Sequence, residues 1–483
     1  MSDALMSLSQ LIAGGLPAPD GGAAPLLEAL FGNRYHQRFL NQTAIRDPLS
    51  SKIDIPFAGF IHPDNPPSGA YGGSSVVWFP TEDHGSILTF VVGTAGLSPD
   101  EGLLSRPGHR RRIHALRRYL ANHKVWAWAK PDPTALAVAV PHFVSNHLPD
   151  FQRALNRYGA EIYAIAKIPR NDPKRARLVT QAFFDLYAFE RGWQTKKDYQ
   201  EEFDGLIDAL RSEIVTRATE DDVYRLLQER RFVILQGPPG TGKTRMAKRI
   251  QQHFFNAHGM TVQFHPAVTY EDFIIGLSPG TSDQSLYFDV RPGWLVEAAQ
   301  AADDKPFLLV IDEINRADLG KVLGEAIYLF EAGEKRMVQL PYEVNGTTSF
   351  ALPPTLHVLG TMNTADRSIA PIDLAIRRRF AFVSLFPDLD VIAKNSIPVA
   401  VRVFAALQDV FIEHAADEIL DLLPGQSFFL AETDKQLRQR FRFELLPLLD
   451  EYLQTGLVAS FSAELHAVRD QIESFVDHGL WTL

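Results

Sequence analysis

Gly237, Pro238, Pro239, Gly240, Thr241, Gly242, Lys243 and Thr244 run consecutively, after an apolar stretch Phe232-Val-Ile-Leu235 and before a helical pattern Arg245-Met-Ala-Lys-Arg-Ile250. Strand, glycine loop, helix is the context of a phosphate-binding loop. Glycines let backbone N–H groups approach phosphate oxygens that a Cβ would hold off. The helix N-terminus adds unpaired N–H groups and a dipole that favours an anion. Lys243 is expected to reach the β- and γ-phosphates of a nucleotide and to serve catalysis. Thr244 is expected to hold Mg²⁺.

A second apolar run, Phe307-Leu-Leu-Val-Ile311, ends in Asp312 and Glu313. Continuous apolar runs suit parallel strands buried on both faces, and acids at their C-terminal ends lie where such sheets bind ligands. Asp312 is expected on Mg²⁺, and Glu313 is expected to orient and polarise the attacking water. A third run, Leu356-His-Val-Leu-Gly360, leads to Thr361-Met-Asn363. Asn363 is placed to hydrogen-bond the same water or the γ-phosphate. Residues Ile369 to Ile376 read as a helix finishing in Arg377, Arg378 and Arg379. An arginine there can reach a neighbouring subunit's nucleotide, with Arg377 and Arg378 as candidates. Equally, a helix C-terminus collects cations to suit its dipole.

The elements that position these residues occupy only part of the chain. The 483 residues suggest two to four domains, and 46% hydrophobic content supports large cores. With no cysteine there are neither disulfides nor thiolate metal sites, which fits a cytoplasmic location. The N-terminus lacks a basic region followed by an apolar core, and no apolar run approaches the ~20 residues of a membrane span. Net charge is −10, unevenly spread: residues 1–194 carry 20 Lys+Arg against 16 Asp+Glu, and residues 195–483 carry 28 against 42.

Before the loop, residues 1–194 read as a mixed α/β domain for target recognition. Strand-like runs are Ser75–Phe79, Ile87–Val92 and Val125–Ala129. Between Gly102 and Pro131 lie eight Lys or Arg and no acid. On a helix there, Ile113, Leu116 and Leu120 share one face, which leaves the arginines for phosphates or for acids elsewhere. His109/His114 and His142/His147 lack the spacing of common zinc sites. Residues 195–230 are charged and helical and read as linker and entry helix. Residues 231–388 form the nucleotide-binding core, and residues 389–483 are helical in pattern.

Several stretches together resemble the AAA+ GTPases of the McrB family. They are Gln236 to Thr244, Phe264-His265, Tyr270-Glu-Asp-Phe-Ile274, Ile311-Asp-Glu-Ile-Asn-Arg-Ala317, Thr361-Met-Asn-Thr-Ala-Asp366-Arg-Ser368 with Ala375 to Phe380, and Gly425-Gln-Ser-Phe-Phe429. The resemblance covers residues 205–460 and leaves the N-terminal third unmatched. It implies an α/β fold: an AAA+ P-loop NTPase core with a parallel sheet and a helical lid, preceded by the mixed α/β domain. It further implies Asp366 at the nucleotide, Arg316 near a subunit interface, and an insert from Tyr270 to Arg291. A β-hairpin is implied from Val338 to Phe350, and turn chemistry at Asn345-Gly346 supports it independently. The family's pattern is a homo-hexameric ring that hydrolyses GTP with Mg²⁺, binds DNA (modified DNA included) and drives a McrC-like endonuclease in anti-phage restriction. ATP stays open as substrate, because the loop reads phosphates and not the base. A MoxR-like remodelling ATPase acting on a protein client is the alternative. In the lid, Arg438, Arg440 and Arg442 are candidates for a second sensor. Asp172-Pro-Lys174 and Asp303-Asp-Lys305 match only half of a metal-nuclease pattern, so any cutting is assigned to a partner.

Overall fold

The computed structural model describes residues 4–16, 22–36, 45–47, 49, 55–66, 69–215, 218–282, 285–302, 304–331, 336–365 and 372–481. The chain divides into two compact units. One is Met1–Val215 with Ile412–His414; the other is Thr216–Phe411 with Ala415–Leu483.

The first unit is built on six strands: β1 (Ile45–Arg46), β2 (Ala58–Phe60), β3 (Ser74–Pro80), β4 (Ser86–Val92), β5 (Ala127–Ala129) and β6 (Ile162–Lys167). Their order is β1-β2-β3-β4-β6-β5, and every pairing is antiparallel. Side chains alternate across the sheet with the two-residue period of a strand. Val76 and Trp78 enter a core shared with helices Ala4–Gly14, Pro107–Asn122 and Pro173–Glu190, whereas Val77 and Phe79 enter a second core with Val144, Leu148 and Phe151. Both faces are therefore covered, and all of β3 is buried.

Helix Lys197–Ile214 also belongs to this unit. The acidic turn in composition near Glu201 placed it in a linker, but Phe203, Leu206 and Leu210 form an apolar stripe inside the first core. The stripe at helical spacing decides where the helix packs, and surface charge does not.

The second unit holds a five-stranded parallel sheet: β7 (Phe232–Gly237), β8 (Gly259–Gln263), β11 (Phe307–Asp312), β14 (Leu356–Asn363) and β15 (Ala381–Ser384). The order is β15-β7-β14-β11-β8. Phe232, Ile234, Leu309 and Ile311 face one core, and Val233, Leu235, Leu308 and Val310 the other, as the unbroken apolar runs require. Helices Glu220–Arg230 and Lys243–Phe254 cover the second face, with Val223, Leu227, Ala247 and Ile250 in its core.

Two hairpins branch from this sheet. The insert is β9 (Ile275–Ser282) paired with β10 (Ser285–Pro292), and the second is β12 (Val338–Val344) with β13 (Thr347–Phe350). The latter turns at Asn345 (φ 53°) and Gly346 (φ 79°), the two left-handed residues that a type I′ turn demands. The expected helix from Ile369 is shorter than read: Leu374–Arg377, capped by Asp373, with 366–371 outside the described residues. The lid comprises helices Pro398–His414, Asp434–Arg440, Leu446–Gln454 and Ser462–His478, packed through Phe404, Phe411, Phe441, Leu449 and Phe475.

Candidate active site

Sheet order brings the chemistry together. β14 lies between β7 and β11, and its register sets Asn363 beside Gly237 and Gly360 beside Ile311. The C-terminal ends of these three strands therefore share one edge, the usual ligand edge of a parallel sheet.

Two hydroxyls converge on one carboxylate oxygen. Thr244 Oγ1 donates to Asp312 Oδ1 at 2.8 Å, and Thr361 Oγ1 donates to the same atom at 2.5 Å. Thr361 also accepts from the Glu313 backbone N–H at 3.2 Å. Glu313 itself is left-handed (φ 55°, ψ 45°), a conformation disfavoured for a side chain with a Cβ. Its carboxylate is held at both oxygens: Asn363 Nδ2 donates to Oε1 at 2.6 Å, and Arg316 Nε lies 3.4 Å from Oε2.

Lys243 is buried, and its ammonium donates to the carbonyls of Gly237 (2.9 Å) and Pro238 (2.7 Å). Burial pulls its pKa down to about 8, against the carboxylates of Glu313, Asp312 and Asp421. The loop calls for glycine on two grounds: a Cβ on Gly237 would sit 2.1 Å from Leu385 O, and Gly240 and Gly242 have φ of 80° and 85°. Thr241 is buried and donates to Pro238 O at 2.9 Å.

Thr244 Oγ1 and Asp312 Oδ1 could together hold a small divalent cation. Among the described residues no group of three or more His, Asp or Glu gathers as a metal site. A few protein oxygens beside substrate phosphates is the donor set that suits Mg²⁺.

Other expected residues lie elsewhere. Asp366 is outside the described residues. Arg377 and Arg378 are exposed; Arg377 lies over the Phe382 ring (5.1 Å), and Arg378 is 3.9 Å from Glu331. Arg379 is buried and donates to Ala375 O at 2.6 Å. Of the lid arginines, Arg440 donates to Ser427 O and Leu430 O, and Arg442 pairs with Asp477. Asp172 caps the helix Pro173–Glu190.

Three contributions were not assigned from sequence. Thr361 ties Asp312 to Glu313. Asp421, in the lid, has its carboxyl pKa raised by burial, with the Thr364 hydroxyl and the Lys243 charge acting the other way. Gln426 Nε2 donates to Thr241 O at 2.7 Å. Gly425-Gln-Ser stood out only as part of a resemblance, and no local signal marked Asp421.

In the first unit the basic helix is real, but its arginines do not all face outward. Arg112 Nε donates to Glu190 Oε1 at 2.9 Å, and His109 Nδ1 lies 2.8 Å from the same oxygen. Burial pushes the Glu190 carboxyl up, but its hydrogen bonds and charge contacts with His109 and Arg112 outweigh that and hold it down at about 2. Arg117 remains exposed. The unit also contains a cavity of about 360 Å³ lined by Phe57, Tyr71, Phe79, Arg157, Tyr158 and Glu161, among others. Phe79 and Tyr158 are stacked (5.6 Å, 25°), and Arg157 lies 5.5 Å from the Tyr158 ring centre. The Oε2 atom of Glu161 is buried without a hydrogen-bond partner among the described residues.

Comparison with known proteins gives one match that is located on the chain, within the second unit. Residues 232–380 match the AAA domain (dynein-related subfamily) model. The Escherichia coli K12 "Type IV methyl-directed restriction enzyme EcoKMcrB subunit" is 38% identical over 195 residues, 38% of this chain and 42% of that protein. The Bacillus subtilis 168 "Type II restriction enzyme BsuMI component YdiS" is 25% identical over 266 residues, 45% of this chain and 78% of that protein. The chain thus spans less than half the length of the first of these relatives. Residues 232–380 are thus an AAA domain, in a chain that is McrB-like over 38% of its length.

Proposed function

We propose that this chain hydrolyses a purine nucleoside triphosphate, GTP or ATP, as the motor of a restriction system that acts on DNA with a separate endonuclease. The observation that carries the reading is the convergence of Thr244 and Thr361 on Asp312, with Asn363 on Glu313, around the buried Lys243.

In this reading the loop N–H groups and Lys243 hold the triphosphate. Bound Mg²⁺, held by Thr244 and Asp312, would neutralise charge on the phosphate oxygens. Glu313 Oε2, which Arg316 also approaches, accepts a hydrogen bond from the attacking water and so aligns it. Asn363 keeps the other oxygen occupied and fixes the carboxylate's orientation. Arg377 and Arg378, exposed on one chain, are available to a neighbour's γ-phosphate in a homo-hexameric ring; such a finger contributes roughly 10³–10⁵ in rate. A McrC-like partner would cut.

For the N-terminal unit, the aromatic cavity supports recognition of an extruded base, modified or not. Stacking on rings is sequence-tolerant, and the Glu161 carboxylate accepts from an exocyclic amine. The remodelling alternative has one observation in its favour: β9 and β10 expose Leu277, Tyr287, Phe288 and Val290 to a protein client. No helix among the described residues is long and apolar enough to cross a membrane.

The test is hydrolysis of GTP and ATP with Mg²⁺ by the wild type and by Glu313→Gln. The wild type should turn over one or both. The variant should bind nucleotide while turnover falls about 10²–10⁴-fold, the range for a positioned base. Full activity in the variant would remove Glu313 from its role, and an inert wild type would remove the function.

A further inference from the structure

Three consecutive lid residues grip three consecutive carbonyls of the phosphate loop. The Gly425 N–H donates to Pro239 O at 3.1 Å, and the Ser427 N–H donates to Gly240 O at 3.1 Å. Between them, Gln426 Nε2 donates to Thr241 O at 2.7 Å. The same side chain is held at its other end, where Gln426 Oε1 accepts from the Asp388 N–H at 3.3 Å. Asp388 caps the helix Leu389–Asn395, at the join between core and lid.

The approach is a backbone fit. A Cβ on Gly425 would stand 2.1 Å from the Gly240 carbonyl carbon and 2.5 Å from Pro239 O. A Cβ on Gly240 would stand 2.3 Å from Ser427 Oγ. Gly425 tolerates no side chain without parting lid and loop, whereas at Gly240 the first obstacle is the Ser427 hydroxyl, beside a φ of 80° that itself favours glycine.

A trans peptide unit is planar, with its C=O and the following N–H pointing in opposite directions. Tying the carbonyls of Pro239, Gly240 and Thr241 to the lid therefore turns the N–H groups of Gly240, Thr241 and Gly242 away from it. Those are the donors a phosphate needs.

We propose that Gln426 is a positioning residue for nucleotide binding, which holds the phosphate loop with its N–H groups presented to the β- and γ-phosphates. It acts through the loop and not on the reacting atoms. Of the three ties it is the only one made by a side chain, so a substitution can cut it without forcing the backbones apart. Because it also holds Asp388, lid placement and loop geometry are linked, and whatever moves the lid changes phosphate affinity. The inference rests on the nucleotide-hydrolysis reading above.

The test uses the full chain with Gln426→Met and Gln426→Glu. Methionine keeps the length and removes both hydrogen bonds. Glutamate keeps the acceptor for Asp388 N but sets an acceptor against Thr241 O. Affinity for non-hydrolysable GTP and ATP analogues with Mg²⁺ is measured by calorimetry, alongside KM, kcat and the melting temperature without nucleotide. The expected result is about 3- to 10-fold weaker binding for Gln426→Met, one neutral hydrogen bond's worth. Gln426→Glu should lose about 10-fold or more, because it buries opposed acceptors. KM should rise with kcat within about twofold, the sign of lost uniform binding. A residue that only stabilised the lid would lower the melting temperature and leave affinity alone, and that result overturns the proposal. If the wild type binds nucleotide and both variants bind equally well, this inference fails while the nucleotide reading stands. If the wild type binds neither analogue, both fall.

Discussion

Lys243→Met should remove the lysine's own contribution to the pH dependence of stability in the alkaline range of the nucleotide-free protein. The lysine is buried, and its pKa falls from 10.5 to about 8. That depression corresponds to about 3 kcal/mol against the folded state. The folded pKa is the lower one, so between about pH 8 and 10.5 the unfolded chain holds more protons. Wild-type stability should rise with pH through that window, and below about pH 8 the full penalty applies. Methionine removes the penalty but leaves Gly237 O and Pro238 O without their donor. Left unpaired, those two acceptors cost about 1–3 kcal/mol each. The two effects are of similar size at pH 7, so the neutral-pH change is small beside either, and the pH dependence is the informative reading. Urea unfolding of both proteins at pH 7 and pH 9.5, without nucleotide or Mg²⁺, checks this. Relative to the variant, the wild type should gain about 2 kcal/mol between the two pH values. A difference that stays constant across that range would refute the reasoning. Added nucleotide at about 100 times its dissociation constant should stabilise the wild type by ~2.7 kcal/mol and leave the variant unchanged.

Two further outcomes are expected. Arg377→Ala with Arg378→Ala should keep nucleotide binding but lower hydrolysis by roughly 10³–10⁵. Mixing that protein with Lys243→Ala subunits should restore part of the rate, since each supplies what the other lacks; an unaltered rate in the double variant removes these arginines from the trans role. In the N-terminal cavity, Phe57→Ala should weaken DNA binding by about 1–3 kcal/mol, the worth of one stacked base, and Glu161→Gln should alter which base is preferred. Basal hydrolysis should not change in either, and DNA affinity equal to wild type would exclude the cavity as a base site.

The parts of this protein legible in its sequence are those whose physics is local. A phosphate-binding loop must carry glycines at fixed spacing, and a doubly covered parallel strand must be apolar throughout, so Gly237 to Thr244 and Phe307 to Glu313 could be placed directly. Asn345-Gly346 announced its turn for the same reason. Arg112 shows where that ends. Periodicity correctly put Ile113, Leu116 and Leu120 in the core. It could not show that Arg112 turns inward too, because its carboxylate partner, Glu190, lies 78 residues away. A charge looks solvated in sequence until its counter-charge is found. The helix Lys197–Ile214 reads as a linker for the same reason, because its acids are visible in sequence and the packing of Phe203, Leu206 and Leu210 is not.

The grip of lid on loop is harder still to read, because what it recognises is backbone. Carbonyls of Pro239, Gly240 and Thr241 would be present whatever the side chains, so the loop's sequence carries no mark of being held. The mark lies on the other partner. Gly425 has no positive φ to explain it, yet a Cβ there would enter the loop. Gln426, half-buried beside it, is long enough to reach past and carries a donor for Thr241 O and an acceptor for Asp388 N. A glycine required by approach and not by torsion, next to an amide with both ends used, is how a backbone-to-backbone contact writes itself into a chain. It follows that Gly425→Ala should part lid from loop, whereas Gly456→Ala, strained at φ 72° but with nothing within 4 Å, should disturb only its own turn.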